Sequence, residues 1–452
     1  MDVISDYLAN RTLTGKLFAE TPEKNTGIIV VIPAFDEPGI IFTLNSLLEC
    51  LQPPCGVEVI VIVNAPPWAG EKALQQNTSS CEEMAQWKEA NEGSFIKLLF
   101  HDTGVKGEGW GVGMARKTGM DEALRRFLYL DNMSGLIVSL DADCLVSENY
   151  FRELYNELYL PDTRRACSLY FEHPLGGDMS PQVYGAITQY ELHLRYYLQG
   201  LKYAGFPWVF HTVGSALAVK AETYARAGGM SKKQGAEDFY FIQKLIPAGG
   251  YFSLNSATVR PSPRVSGRVP FGTGPVMARL INDNDEYLSY NIEGFENLKN
   301  LFDRVLLFYS HGTAKYSELY AGLHASMKDF LDMNDWKNKL SEIRNNTSSA
   351  EAFRKRFFNW FNMFRVVKYL NFLHSEAYTE KMPVGLAAEL LLEKIAPGPP
   401  AGYPGKIATG PPAGHPGKSA TGPPFGGLQK TGRVFTGEDI SELLRIYREM
   451  EK

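Results

Sequence analysis

Four short, almost uninterrupted runs of apolar residues divide the first third of the chain. They are IIVVI at residues 28–32, VEVIVIV at 57–63, FIKLLF at 95–100 and GLIVSL at 135–140. Stretches with helical periodicity, such as GIIFTLNSLLECL and ARKTGMDEALRRFLYL, lie between the runs. Apolar runs that alternate with helices are typical of strands buried on both faces of a mostly parallel sheet. The pattern therefore predicts an α/β fold whose ligand site lies beyond the carboxyl ends of the strands.

Composition excludes several other classes of protein. The chain has 452 residues, a net charge of −5 and 44% hydrophobic residues, which predicts two or three globular units with a large core. Five cysteines without a CxxC pair argue against a disulfide framework and against a cysteine zinc site. The mild acidity argues against a general nucleic-acid-binding surface. No signal peptide or transmembrane helix is expected, so the sequence predicts a cytoplasmic protein.

The second half of the chain is predicted to be mainly helical. Residues from about 290 to 395 have long helical periodicity, and the basic, aromatic segment 354–372 within them predicts one helix. A core helix is expected to bury the four large aromatic side chains of this segment, although amphipathic helices on a membrane surface have the same pattern. Those four residues are Phe357, Trp360, Phe361 and Phe364.

A low-complexity segment separates this helical region from the end of the chain. Residues 396–430 are rich in Pro and Gly and contain a twelve-residue near-repeat, GPPAGYPGKIAT followed by GPPAGHPGKSAT. Such a composition predicts an extended, mobile linker. After the linker, Thr436 is the expected N-cap of a short amphipathic helix, GEDISELLRIYREMEK.

Two aspartates directly follow the fourth apolar run. Asp141 and Asp143 have i, i+2 spacing in the segment SLDADC. Both carboxylates of such a pair can approach one hard divalent cation, which commonly keeps water and phosphate oxygens as its other ligands. The alternative is that they cap the next helix, which is predicted to begin near Ser147.

Two further segments carry residues suited to chemistry. Glu237 and Asp238, in GAEDFYF, open a predicted helix, where a carboxylate can cap the helix or act as a general base. The glycines between residues 104 and 119 allow a ligand to approach the backbone, with Arg116 and Lys117 placed for phosphate or base contacts. This spacing matches neither a P-loop nor a dinucleotide-binding loop, which argues against an ATPase and a dinucleotide enzyme.

Together and in this order, five segments resemble a family 2 glycosyltransferase of the GT-A fold. They are VVIPAFDEPGII, GVGMARKTG, SLDADCLVSENYF, HTVGSALAVKAETYARAGGM and GAEDFYF, within residues 25–270. The resemblance implies a GT-A type, mostly parallel sheet flanked by helices, with a helical C-terminal region. The expected division is 1–24 as an N-terminal extension, 25–275 as the transferase domain, 276–395 as the helical region, 396–430 as the linker and 431–452 as the terminal helix.

The resemblance also implies a role for individual residues. Asp141 and Asp143 would bind a divalent cation, Mn or Mg, and Asp238 would be the base that deprotonates the acceptor hydroxyl. The residues expected to contact a nucleotide-diphospho-sugar donor, some of them at positions that depart from the family pattern, are Pro33, Ala34, Phe35, Glu37, Asn64, Arg116, Lys117, Asp141, Glu237, Arg264 and Arg268. A single displacement with one base would invert the anomeric configuration.

The resemblance implies a carbohydrate or a lipid-linked molecule as acceptor. The family commonly acts in the synthesis of cell-surface polysaccharide or glycolipid, which is compatible with peripheral contact with a membrane. His173 and His211 lie in the acceptor-side half, where a lone histidine is more often a packing residue than a ligand.

Three positions depart from the family pattern. Asn64 ends the second run where an aspartate-rich turn is usual, which leaves the preference for uracil open. Lys117 replaces a usual asparagine and adds positive charge near the donor. Where many relatives place a histidine, this chain has TVRPSPRVSGRVPFGTG, whose arginines are either a pyrophosphate clamp or exposed loop residues. These are Arg260, Arg264 and Arg268.

Three other functions stay open at this point. A retaining transferase can use the same scaffold and metal. A nucleotidyltransferase shares the fold class, but the glycine-rich loop expected after its first strand is replaced here by PAFDEP. A non-catalytic scaffold that binds a sugar or nucleotide is the third, and the presence of Asp141, Asp143 and Asp238 argues against it.

Overall fold

The computed structural model describes residues 3–231, 236–266, 272–283, 286–311, 315–395 and 435–452. The strands of its large sheet are β1 (Thr26–Ala34), β2 (Gly56–Ala65), β3 (Ile96–Val105), β4 (Leu136–Ser139), β5 (Cys144–Val146), β6 (Ala166–Phe171), β7 (Leu217–Lys220) and β8 (Tyr251–Pro261). Their order across the sheet is β3-β2-β1-β4-β7-β6-β8-β5.

Strand direction brings many chain segments to one edge of this sheet. Strands β1 to β4 pair in parallel, as do β6 and β8. Strand β7 is antiparallel to both β4 and β6, and β5 is antiparallel to β8. Six of these eight strands therefore end at the same edge, called the carboxyl edge below, where β7 begins. This arrangement confirms the expected mostly parallel α/β sheet.

The four strands predicted from apolar runs are β1 to β4, and all four are present. The sequence did not predict β5 to β8. Strands β5 and β7 have three and four residues and pair antiparallel with their neighbours, so neither forms a long apolar run. Strand β8 alternates between buried and more exposed residues, because one of its faces is only partly covered.

Alternate residues of the central strands pack against different layers of helices. On β1, Ile28, Val30 and Ile32 face one layer, whereas Ile29 and Val31 face the other, and all five are fully buried. The helices of this α/β part are α1 (Val3–Asn10), α2 (Ile40–Leu48), α3 (Glu71–Ala90), α4 (Val112–Tyr129), α5 (Tyr150–Leu154), α6 (Pro181–Tyr203), α7 (Ala221–Arg226), α8 (Glu237–Leu245) and α9 (Thr273–Asp283).

The following region is helical, as predicted. It contains α10 (Ile292–Asp303), α11 (Val305–His311), α12 (Tyr316–Ala321), α13 (Ala325–Asp332), α14 (Trp336–Asn345), α15 (Ala350–Trp360), α16 (Met363–Ser375) and α17 (Val384–Ile395), with a small pair of strands, β9 (Leu288–Ser289) and β10 (Met382–Pro383). In the described ranges, no helix combines the length and the apolar character needed to cross a bilayer.

The segment 354–372 is two helices rather than the one that was predicted. Asn362 lies between α15 and α16, and its side chain accepts hydrogen bonds from two backbone N–H groups of the first turn of α16. Phe357, Trp360 and Phe361 are buried, which confirms them as core residues. The fourth aromatic residue, Phe364, is only partly buried, with its ring against Tyr240 of α8.

The chain ends in the predicted amphipathic helix, α18 (Gly437–Glu449). Thr436 is its N-cap, as expected, and forms a capping box with Asp439. The predicted linker at residues 396–430 lies outside the described residues.

Gly119 lets α4 lie close to the sheet. A Cβ atom there would overlap Val31 of β1 and lie 3.1 Å from Ile62 of β2. Gly119→Ala is therefore expected to lower the free energy of unfolding by about 1–3 kcal/mol through overpacking. Urea denaturation monitored by circular dichroism measures the change.

A matched control lies on α6. Gly185 is exposed, and a Cβ atom there would meet no atom within 4 Å. Gly185→Ala is expected to raise stability by about 0.5–1 kcal/mol, because alanine restricts the unfolded chain more than glycine does. Equal effects of the two substitutions would contradict close packing at Gly119.

Candidate active site

Asp141 and Asp143 lie in the tight turn that joins β4 to β5 at the carboxyl edge. The backbone N–H of Leu140 still bonds to Val31 of β1, and Thr43 of α2 donates to the carbonyl oxygen of Ala142 at 2.8 Å. The turn is thus fixed from two sides, while both carboxylates remain partly exposed. Neither aspartate caps the next helix, since α5 begins after Asn149.

Arg116, in the second turn of α4, joins Asp141 to the acidic pair of α8. Its Nη2 donates to Oδ1 of Asp141 at 2.6 Å, and its Nη1 donates to Glu237. The arginine and Glu237 are both buried. The Nε of Arg116 is also buried and has no hydrogen-bond partner among the described residues. A buried guanidinium that bridges two carboxylates fixes the position of both at the carboxyl edge.

Asp238 lies in the first turn of α8, beside Arg116. Its Oδ1 accepts a hydrogen bond from the backbone N–H of Phe239 at 2.7 Å. Burial and the neighbouring charge of Glu237 raise the pKa of Asp238 from 3.8 to about 6, against the opposing charge of Arg116. A carboxyl group with such a pKa can take a proton from a substrate near neutral pH.

A second arginine holds the other half of the aspartate pair. Arg264, three residues after β8, donates through Nη1 to Oε1 of Glu37 at 2.9 Å and through Nη2 to Oδ2 of Asp143 at 3.1 Å. Glu37 is almost fully buried, and its carboxylate also accepts a hydrogen bond from the backbone N–H of Gly39. Of the predicted residues, Glu37, Asp143 and Arg264 therefore meet in one ion network.

The ends of β1 and β2 bring together the remaining residues of the predicted donor loop. Pro33 and Ala34 are the last residues of β1 and are buried. The amide nitrogen of Asn64 donates to the carbonyl oxygen of Ala34 at 3.0 Å, which ties the two strand ends together. The partly exposed ring of Phe35 extends from the same edge.

The structure does not bring every predicted residue to this edge. Lys117 is buried on another face of α4, where it donates to Tyr7 of α1 at 2.6 Å and pairs with Asp121. We therefore leave Lys117 out of the site. Arg260 lies 3.8 Å from Glu172 instead of the aspartate pair. Arg268 lies outside the described residues.

Only residues 106–111 of the glycine-rich stretch from 104 to 119 form a loop, because β3 ends at Val105. Helix α4 begins at Val112, so Gly113 and Gly119 are helical positions. Gly104, near the end of β3, and Gly109, in the loop, have positive φ angles, which favour glycine. A role in ligand approach is therefore restricted to the segment before α4.

Two residues at the carboxyl edge were not predicted from the sequence. Trp68, after β2, has 64% of its surface exposed and packs edge-on against Phe35 at 5.8 Å between ring centroids. A Cβ atom on Gly214 would lie 2.9 Å from Oδ2 of Asp238 and 3.1 Å from Nη1 of Arg116. The exposed indole had no sequence signal, whereas Gly214 lies within the HTVGSALAV segment that carried the family resemblance.

Comparisons with known proteins give a fold-level likeness. No protein-family model matches the sequence, and no curated protein matches it. Among solved structures, S. aureus TarS 1–349 in complex with UDP-GlcNAc is 11% identical, with 72% of this chain and 89% of that chain covered and a TM-score of 0.38.

Two other solved structures have similar scores. Mannosyltransferase PcManGT from Pyrobaculum calidifontis, in complex with GDP-Man and Mn²⁺, is 16% identical, with 83% and 93% covered and a TM-score of 0.35. Glucosyl-3-phosphoglycerate synthase from Mycobacterium tuberculosis, with Mn²⁺, UDP and phosphoglyceric acid, is 13% identical, with 62% and 78% covered and a TM-score of 0.32. TM-scores at this level are too low to transfer a function, so the function below is derived from this chain's own residues.

The raised pKa of Asp238 predicts a pH dependence of stability. Between the unfolded value of 3.8 and about 6, the folded protein holds a proton that the unfolded chain has released. The carboxyl group therefore lowers stability as the pH rises through this window. A shift of this size corresponds to roughly 3 kcal/mol. Melting of the chelator-treated protein should show the wild type losing stability from pH 4 to 7 relative to Asp238→Asn.

The exposed Glu148 provides the control for this measurement. Glu148→Gln should leave the pH dependence of melting as in the wild type. If Asp238→Asn also leaves it unchanged, the pKa of Asp238 is not raised in the folded protein.

Proposed function

We propose that this chain is a metal-dependent glycosyltransferase of the GT-A type that moves a sugar from a nucleotide-diphospho-sugar to a hydroxyl acceptor with inversion. The observation that carries the proposal is an excess of carboxylates at the carboxyl edge. Among the described residues, five carboxylates surround two guanidinium groups. Arg116 lies among Asp141, Glu237 and Asp238. Arg264 lies between Glu37 and Asp143. Such an excess of negative charge favours a cation between the networks.

The donor atoms fit a hard divalent ion such as Mn²⁺ or Mg²⁺. Asp141 and Asp143 offer carboxylate oxygens from a fixed turn. Within the described ranges, no group of three or more His, Cys, Asp or Glu side chains forms a metal site. The two aspartates would therefore hold the ion together with phosphate oxygens and water. When bound, the ion would neutralise the charge of the departing nucleoside diphosphate.

Arg116 and Arg264 would bind the pyrophosphate from opposite sides of the aspartate pair. Each arginine contacts one of these two aspartates. A phosphate group can compete with a carboxylate for a guanidinium group, because each has two oxygens that accept the paired hydrogen bonds of the planar guanidinium. Glu237 would keep Arg116 in place during this exchange. Phe35 and Asn64, at the ends of β1 and β2, would border the nucleotide base.

Asp238 would act as the base. Its carboxylate takes the proton of the acceptor hydroxyl while the acceptor oxygen forms a bond to the anomeric carbon. The bond from that carbon to the diphosphate oxygen breaks on the opposite face, and the electron pair leaves with the nucleoside diphosphate. One displacement of this kind inverts the anomeric configuration. A product with the retained anomer would favour the retaining alternative.

The acceptor is proposed only by class. A carbohydrate or lipid-linked hydroxyl follows from the family resemblance, with cell-surface polysaccharide or glycolipid synthesis as the corresponding process. A location in the cytoplasm with peripheral contact with a membrane is compatible with the same resemblance.

Nucleotide binding gives the first test. UDP, GDP, CDP and ADP are compared by thermal shift, each with Mn²⁺ and with chelator. One nucleotide should raise the melting temperature only with the metal, because a ligand at 100 times its dissociation constant stabilises by about 2.7 kcal/mol. Asp141→Asn should abolish this shift, and the exposed control Glu148→Gln should keep it. Absence of a shift with all four nucleotides would favour the scaffold alternative.

The base is tested separately from donor binding. Asp238→Asn should keep the nucleotide-dependent thermal shift, because the amide oxygen of the new side chain can still accept the hydrogen bond from the backbone N–H of Phe239. Transfer, or hydrolysis of the donor by water, should fall by about 10²- to 10⁴-fold. Wild-type turnover in this variant would contradict the assignment of Asp238 as the base.

A further inference from the structure

The terminal helix α18 is packed against α6 and against α17, the helix that precedes it in the chain. Leu443 and Leu444 are fully buried, and the hydroxyl of Tyr447 donates to the carbonyl oxygen of Ala388 on α17 at 2.9 Å. The end of the chain reaches the carboxyl edge. Arg448 donates there to the carbonyl oxygen of His173, two residues after the end of β6, at 2.8 Å.

A buried ion network holds the end of α18 to α6. Glu191 of α6 is fully buried and accepts from Arg195 at 2.9 Å and from Arg448 at 2.7 Å. Arg195 also donates to Glu451, whose side chain is only 7% exposed. The last turn of α18 and the residues after it thus contribute one cation, Arg448, and one anion, Glu451, so their docking adds no net charge to the interior.

Glu451 also contacts the segment that leads into β7. The Nε2 of His211 lies 3.0 Å from Oε2 of Glu451. Because an ionised carboxylate only accepts, the imidazole donates in this pair. The backbone of His211 is fixed as well, since its carbonyl oxygen accepts a hydrogen bond of 2.6 Å from the hydroxyl of Ser168 on β6. The ring lies edge-on to Phe171, with 4.9 Å between centroids.

Three residues after His211, the same segment reaches the candidate base. Gly214 approaches Oδ2 of Asp238 so closely that an added Cβ atom would lie 2.9 Å from it. The main chain at Gly214 therefore packs against the carboxyl group of Asp238. At the other end of the segment 211–214, Glu451 holds His211. Any displacement of this segment changes the space next to Oδ2.

We propose that Glu451 is a positioning residue of the transfer reaction: through His211 it holds the segment 211–214 against Asp238. The inference rests on the proposed function, because it assigns α18 to the acceptor half of that site. The terminal helix is then a functional part of the transferase. A misplacement of about 1 Å at a reacting group can cost 100-fold in rate, so a contact outside the chemistry can affect kcat.

The experiment compares full-length variants in donor hydrolysis, in which water replaces the unidentified acceptor. UDP-glucose is the donor, or GDP-mannose if GDP gives the larger thermal shift. Glu451→Ala and His211→Ala should each lower kcat by about 10- to 100-fold. The affinity for the nucleoside diphosphate should change less than twofold. The double variant should be no slower than the slower single variant, because both changes break one contact.

The control is Glu442→Ala, on α18, where the side chain is 34% exposed. Glu442 pairs only with Arg445 among its described contacts, and exposed pairs of this kind contribute little. This variant should keep the wild-type kcat. Loss of Glu451 can release α18 as a whole, whereas His211→Ala leaves the contacts of α18 to Glu191 and Arg195 in place.

Hydrogen exchange supplies a readout that does not depend on turnover. Peptides that cover residues 207–216 should exchange faster in His211→Ala and Glu451→Ala than in Glu442→Ala. Unchanged exchange there, or unchanged kcat in a protein that binds the nucleotide, overturns the positioning role and leaves the proposed function intact. If no nucleotide binds, the proposed function itself is wrong.

Discussion

The site depends on the compensation of clustered carboxylates by two buried or half-buried arginines. Arg116 holds Asp141 and Glu237, and Arg264 holds Asp143 and Glu37. Removing one partner from a buried pair costs about 3–5 kcal/mol, because the remaining charge has left water without compensation. The arginines therefore fix the carboxylates in place, and the remaining excess of negative charge supports the proposal that a divalent cation binds between them.

The sheet places these groups within reach of one another. Strands β1, β4 and β8 end at the same edge, and the site residues follow each of them directly. Helix α4 carries Arg116 to this edge, and Gly119, about one turn later, lets the helix lie close to Val31. The proposed base is positioned differently, since Asp238 lies in the first turn of α8 and packs against the main chain of Gly214.

The sequence predicted the parts of the fold that local patterns determine. The long apolar runs indicated β1 to β4, and the position of Asp141 and Asp143 after β4 followed from the boundaries of one run. Short antiparallel strands such as β5 and β7 have no comparable signal. Arg116 and Lys117 show a further limit, because neighbouring helical residues point about 100° apart. One therefore faces the carboxyl edge, and the other is buried against Tyr7. The docking of α18 was equally unreadable, since Arg448 meets Glu191 across 257 residues of sequence.

If Asp141 and Asp143 form a metal site for a nucleoside diphosphate, an anomalous-difference map of a crystal grown with Mn²⁺ and the bound nucleotide will reveal it. We expect one manganese peak within about 2–2.5 Å of oxygens from both aspartates, with the diphosphate completing the coordination. Arg264 or Arg116 should contact the diphosphate. A nucleotide bound elsewhere, or a manganese peak away from this pair, would show that the two aspartates are not the metal site.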